Sequence, residues 1–334
     1  MNIYQKSGYV DIRAFNKIGT TFNFILGGRG TGKTYTTLLT AIEDHKRIML
    51  MRRTQTQSDL INKPEFSPYK AIELDKHFKV NVKPASKYNS VFTIDEDIIG
   101  YSCALSTVSN LRGFDASDVD WLVYDEFISE PHERPLKNEG TAFLNAYETM
   151  NRNRELKGKQ PIKVFCLANA FNIANPIFLE LGLVGRCEKM KEKNQKMFID
   201  RERSITIAFL DASDISKKKS RTALYKLTKD SAFNKMALGN EFVYNPTDNI
   251  QSMPLVEFRP IVTVGEITIY KHKSKKLYYV SEHQTGTPAV FNTDEISLKR
   301  FRNTYGFNYY HSYMANRFRF ENMLTKSLFE MYII

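Results

Sequence analysis

The chain is 334 residues long, 42% hydrophobic and 25% charged, a balance that excludes collagen-like, coiled-coil and wholly disordered chains and suits about two domains. No apolar run reaches the roughly 20 residues of a membrane-spanning helix, and the N-terminal MNIYQKSGYVDIRAF lacks the basic leader and apolar block of a secretory signal, so no membrane association is expected. Forty-eight Lys+Arg against 37 Asp+Glu give a net charge of +11, which favours a polyanionic partner through release of condensed counterions.

Three cysteines, Cys103, Cys166 and Cys187, are too few and too scattered for a disulfide framework or a zinc set. Six histidines without an HxxxH or CxxC companion argue against a transition-metal site.

Taken in chain order, Phe22–Leu26, Arg47–Met51, Val91–Ile94, Trp121–Tyr124 and Ile162–Leu167 read as short apolar strands between helical or loop segments. That alternation predicts a parallel sheet covered by helices on both faces. The first strand runs into Gly27-Gly28-Arg29-Gly30-Thr31-Gly32-Lys33-Thr34, a match to G-x-x-x-x-G-K-[ST]. Glycines at this spacing let the backbone fold around phosphates with its N–H groups inward. Lys33 then reaches the β- and γ-phosphates of ATP and the Thr34 hydroxyl ligates Mg²⁺. TYTTLLTAIEDH follows as a helix whose N-terminus faces the anion.

The fourth strand ends in Asp125-Glu126. An acid pair at a strand exit behind a phosphate loop assigns Asp125 to the metal and Glu126 to polarising a water. The next strand ends at Asn169, either a polar sensor of the γ-phosphate or an ordinary turn residue. TAFLNAYETMNRNRE at 141–155 predicts a helix with Arg152 and Arg154 at its C-terminal end, either dipole complements or groups presented to a neighbour's nucleotide. Arg29, inside the loop, and Arg112, in SNLRGFDASD, are further phosphate-contact candidates.

Residues 201–245 carry nine Lys+Arg against five Asp+Glu, densest at Lys217, Lys218, Lys219 and Arg221, and read as short basic helices before a turn-like NPTDN. With Arg52 and Arg53 they are the candidates for holding DNA through its phosphates. Ile261–Tyr270 alternates as a strand, KHKSKK as a turn and Leu277–Val280 as the return. ENMLTKSLFEMYII has a helical period, giving a small α+β second domain. Eight Asp+Glu against eleven Lys+Arg in 246–334 leave few carboxylates for a two-metal nuclease.

With these residues in place the chain resembles the genome-packaging ATPases of phi29-like podophages. The matching segments are GGRGTGKT, MRR at Met51–Arg53, VYDEF at Val123–Phe127, RNRE at Arg152–Glu155, CLANA at Cys166–Ala170, Asn175-Pro176, and RFRFEN at Arg317–Asn322. The resemblance implies an ASCE-type ATPase domain over 1–200, a basic linker domain over 201–245, and an RNase H-like, vestigial nuclease domain over 246–334. It implies a homopentameric ring on the portal of a procapsid in the host cytoplasm that translocates double-stranded DNA, in some relatives with a packaging RNA. It implies Glu126 as catalytic residue, Arg152 as a trans-acting finger and Arg112 as a second basic group acting in trans. One departure is Gln55, where the family pattern has a lysine facing DNA. A helicase- or recombination-type ATPase and a nucleotide-gated DNA-binding switch are the alternatives that the phosphate loop alone leaves open.

Overall fold

The computed structural model describes the chain except residues 1, 112–115, 131–132, 134–135, 170–171, 212–217, 230, 232–233, 235–236, 239–248 and 334. The chain forms two compact units, Met1–Leu181 with Lys189–Tyr244, and Gly182–Glu188 with Asn245–Ile334.

The larger unit is built on a nine-stranded sheet: β1 (Phe22–Leu26), β2 (Ile48–Arg52), β3 (Asn81–Pro84), β4 (Ser90–Ile94), β5 (Asp97–Ala104), β6 (Trp121–Asp125), β7 (Lys163–Ala168), β8 (Met197–Asp200) and β9 (Ile205–Phe209). Their order is β3-β4-β5-β2-β6-β7-β1-β9-β8. The six inner strands pair in parallel, and antiparallel partners close both edges. The five expected strands are present with ends within one residue. β6 is buried along its whole length and β1 and β7 at all but their first residue, as required of strands covered on both faces.

β7 lies between the strand that feeds the glycine-rich loop and the strand that ends in the acid pair. All three strands run the same way, so the loop, Asp125 and Asn169 emerge together at the C-terminal ends of the central strands. This is where open parallel sheets bind ligands. Helix α1 (Ile12–Ile18) is capped by Asp11, whose side chain accepts from Arg13 N, and ends at Gly19 in the left-handed region. Helix α2 (Lys33–Glu43) follows the loop and buries Thr36, Thr37, Leu38, Thr40 and Ala41.

The helical linker expected over 201–245 is corrected in part. Ile205–Phe209 is a strand in register with β1, Phe22 opposite Ile205 and Leu26 opposite Phe209. Its residues are apolar or β-branched and four of the five are buried, so pairing in the central sheet overrides the charged flanks. Helix is found within this segment at Ala223–Leu227.

The smaller unit carries a five-stranded mixed sheet, β10 (Phe258–Val264), β11 (Ile267–His272), β12 (Tyr278–Ser281), β13 (Ala289–Phe291) and β14 (Phe318–Phe320), ordered β13-β10-β11-β12-β14. The single strand expected over Ile261–Tyr270 is a hairpin. Gly265 adopts φ 53°, and Val264 pairs with Ile267. Both arms alternate apolar and polar, so the turn is hidden in the pattern and only the glycine marks it. Phe301, Tyr305, Tyr309, Tyr313, Phe318 and Phe329 form a continuous aromatic cluster between this sheet and its helices. The terminal helix Met323–Ile333 buries Leu328, Phe329, Tyr332 and Ile333.

Candidate active site

The glycine-rich loop turns from β1 into α2 through Gly30 at φ +87° and Gly32 at φ +79°, conformations that cost an L side chain about 1–2 kcal/mol. Lys33, the first residue of α2, is 9% exposed and folds back over the loop. Its Nζ donates to the carbonyls of Gly27 (2.8 Å) and Gly28 (2.9 Å) and to Thr31 Oγ1 (3.2 Å), with Asn169 Oδ1 at 3.5 Å. Burial brings its pKa down to about 8, Arg29 and Lys219 push the same way, and Asp125 and Glu126 oppose.

Thr34 Oγ1 donates to Asp125 Oδ1 at 2.9 Å. A hydroxyl at a helix N-terminus beside a buried carboxylate is a pair of hard oxygen donors. It fits Mg²⁺, which takes one or two protein ligands and completes its shell from water and phosphate.

Glu126 follows at φ 58°, with 58% of its side chain exposed. Phe127 is 1% exposed, its N–H bonded to Leu167 O and its ring against Phe24 and Phe178. The backbone therefore leaves β6 in a fixed direction and aims Glu126 out of the strand end. Desolvation raises the Glu126 carboxyl above the ordinary carboxylate range, Arg52 opposes this, and Asp125 adds to it.

Arg52 and Arg53, expected together on DNA, part company. Successive residues at a strand end point to opposite sides. β2 lies beside β6, so Arg52 reaches the acid pair: Nη2 to Asp125 Oδ2 at 3.0 Å and Nη1 to Glu126 Oε2 at 2.6 Å. Arg53 points the other way and is 1% exposed. It donates to both oxygens of Glu139 (2.7 and 2.9 Å) and to Glu133 (2.8 Å). A guanidinium committed to a buried bidentate pair has no surface to offer a phosphate backbone, and the DNA assignment of Arg53 is corrected accordingly. Gln55 is likewise engaged, with Asp59, Tyr88 O and Thr107.

Arg29 pairs with Glu130 at 2.9 Å. Helix α3 (Glu139–Asn151) ends at Arg152, which has φ 46° and donates from Nε to Thr149 O; the residue is exposed. Arg154 instead holds the carbonyls of Gln160, Ser117 and Val119, which ties down the approach to β6. Of the basic run, Lys218 and Arg221 are exposed, while Lys219 reaches the loop at Gly30. Arg112 and Lys217 lie outside the described residues. Sequence alone does not reveal Arg52 as a neighbour of the acid pair, because only the β2–β6 adjacency brings them together.

Residues 4–332 match the family described as Podovirus DNA encapsidation protein (Gp16). The chain belongs to this family. It is 25% identical over 328 residues to the DNA packaging protein of Bacillus phage phi29, covering 92% of this chain and 91% of that one. It is 25% identical over 334 residues to the DNA packaging protein of Bacillus phage B103, covering 93% and 96%. Its fold is similar to that of a chain in the bacteriophage Phi-29 viral genome packaging motor assembly, with TM-score 0.67 at 20% identity and 98% and 99% coverage. Membership in the encapsidation family thus accompanies a site whose loop, acid pair and polar strand tip converge at the C-terminal ends of the central strands.

Proposed function

We propose that this chain is a Mg²⁺-dependent ATPase that works as a subunit of a homopentameric ring and drives double-stranded viral DNA through a portal into a procapsid. The observation that carries the enzymatic part is the contact between Thr34 and Asp125, with Lys33 and Glu126 on either side. In this reading the loop N–H groups and Lys33 bind the triphosphate, and Thr34 and Asp125 hold Mg²⁺, which when bound supplies charge neutralisation at the phosphates. Glu126 accepts the proton of the attacking water, and Asn169, beside Lys33, orients the γ-phosphate or that water. Arg152 reaches a neighbouring subunit's nucleotide.

DNA is held through its phosphates by exposed basic side chains, Lys218 and Arg221 among them. Binding therefore weakens with salt by a log–log slope of about 0.9 per phosphate contact. The second unit serves docking or DNA guidance without cutting. Glu266 lies in the β10–β11 turn and Asp294 caps a helix through Ser297 N; among the described residues no three His, Cys, Asp or Glu gather as metal ligands. Its exposed Lys273, Lys275 and Lys276 suit a phosphate backbone, DNA or packaging RNA. The same reading sets the protein to work in the host cytoplasm, transiently on procapsids; among the described residues no helix is long and apolar enough to cross a membrane.

The test is packaging in vitro with purified procapsids, ATP and linear DNA. Nuclease-protected DNA that appears only with ATP supports the motor. DNA-stimulated hydrolysis indifferent to procapsids, with strand separation, would favour a helicase, and ATP binding with little turnover a switch.

A further inference from the structure

We propose that Lys219 is a nucleotide-binding residue, a second ammonium brought to the triphosphate by the basic segment that packs on the loop. The inference rests on the ATPase reading above and reassigns a residue expected on DNA.

A β-carbon placed on Gly30 would stand 2.8 Å from Lys219 Nζ and 3.1 Å from its Cε. The ammonium therefore lies against the loop backbone at Gly30, where φ +87° itself favours glycine. The same segment touches the loop again one residue earlier, where Arg29 N donates to Ala237 O at 3.0 Å. The turn that presents Lys219 is closed locally, since its carbonyl accepts from Thr222 N (2.9 Å) and Thr222 Oγ1 (2.8 Å) just before the helix Ala223–Leu227.

Three cations, Arg29, Lys33 and Lys219, thus converge on one turn of chain. Arg29 is paired with Glu130 and Lys33 is turned to carbonyls. Among the described residues no carboxylate pairs with Lys219. Like charges gathered this closely are unfavourable without an anion between them. The anion that glycine-rich loops of this spacing take is a polyphosphate. A lysine is suited to meet it as a flexible point charge. Lys218 and Arg221, on the same turn, are exposed and remain available to DNA, so the basic run divides between two polyanions.

The experiment is equilibrium binding of a fluorescent ATP analogue to the full chain, beside binding of a double-stranded DNA without nucleotide at the same salt. The proteins are wild type, Lys219→Met, Lys219→Gln and Lys219→Arg, with Lys193→Met as an exposed control. Loss of a charge-assisted contact is expected to weaken ATP binding about tenfold or more in Lys219→Met and Lys219→Gln. The loss is smaller for AMP than for ATP; Lys219→Arg stays near wild type and DNA affinity is unchanged. Neutral variants that bind ATP like wild type, or that lose DNA while keeping ATP, overturn the inference and leave the ATPase reading standing. A wild-type chain that binds no analogue while Lys193→Met and wild type are both folded overturns the two together.

Discussion

Arg52 holds both acids of the site at once, Nη1 at 2.6 Å from Glu126 Oε2 and Nη2 at 3.0 Å from Asp125 Oδ2. The two carboxylates adjoin in sequence, and this shared cation reduces their mutual repulsion. Asp125 is fixed from two sides, by Arg52 and by the Thr34 hydroxyl. Glu126 has only Arg52 among these contacts and more than half its side chain in solvent, which makes it the more exposed member of the pair. Substituting Glu126→Gln keeps the shape and removes the carboxylate proposed as the base. ATP binding is expected to persist while turnover falls by about 10²–10⁴-fold, measured by phosphate release beside analogue binding. Near-normal turnover would take Glu126 out of the mechanism.

The Arg52 contact also sets a pH dependence. Desolvation raises the Glu126 carboxyl and Arg52 lowers it, so removing the guanidinium raises it further. A general base acts deprotonated, and turnover rises as pH climbs through its pKa. The acid limb of the pH–rate profile is therefore expected to move to higher pH in Arg52→Met, with Arg52→Lys between the two. A limb that stays in place while only the maximum drops would assign Arg52 some other role.

Lys33 titrates in an accessible range. Its pKa lies down at about 8 against an ordinary 10.5, and an approaching polyphosphate raises it again. ATP binding between about pH 8 and 9 should then take up protons at Lys33. Calorimetry in buffers of different ionisation enthalpy reads this directly, and the uptake should vanish in Lys33→Met at ATP concentrations that still saturate. The same shift has a stability consequence of fixed sign. A lysine with a lowered folded pKa burdens the fold fully below about pH 8, and that burden fades as pH rises towards 10.5. Proton release on binding would contradict the assignment.

The buried ion pair at Arg53 predicts a loss of stability. Removing one partner leaves the other charge unpaired in the interior, at a cost of about 3–5 kcal/mol. Arg53→Ala and Glu139→Ala are both expected to unfold at markedly lower urea, and the double variant at less than the combined loss. An Arg53→Ala protein as stable as wild type but weak on DNA would restore the surface reading of that residue.

How much of this is legible in the chain divides along physical lines. The glycine-rich loop, the acid pair and the five strands are local patterns, and the five strands stand where their residue types require. The role of Arg52 and the burial of Arg53 depend on which strand lies beside which, a choice made by the packing of the whole sheet. The strand Ile205–Phe209 is masked by its charged neighbours, and the Gly265 turn by an alternation that continues through it. Lys219 reads as one of a basic run because sequence adjacency cannot tell which lysine of a turn faces inward.

Arg152 carries the last prediction. Two arginines end the same helical segment, and their surroundings separate them. Arg154 is bound to the carbonyls of Ser117 and Val119 ahead of β6 and of Gln160 ahead of β7, so its loss is expected to lower stability. Arg152 sits exposed at φ 46°, ψ −131°, a positive-φ conformation outside the left-handed helical region that costs a non-glycine residue about 1 kcal/mol or more, and its Nε turns back to Thr149 O. If it acts across a subunit boundary, Arg152→Ala should cut turnover by about 10³–10⁵-fold without changing ATP binding to the isolated chain. Mixing Arg152→Ala with Glu126→Gln chains should then restore measurable hydrolysis. At one kind of boundary the intact Arg152 of the second variant meets the intact Glu126 of the first. Rescue should rise and fall with the mixing ratio, peaking where such boundaries are commonest. Mixed rings verified by mass that show no rescue would confine Arg152 to its own subunit.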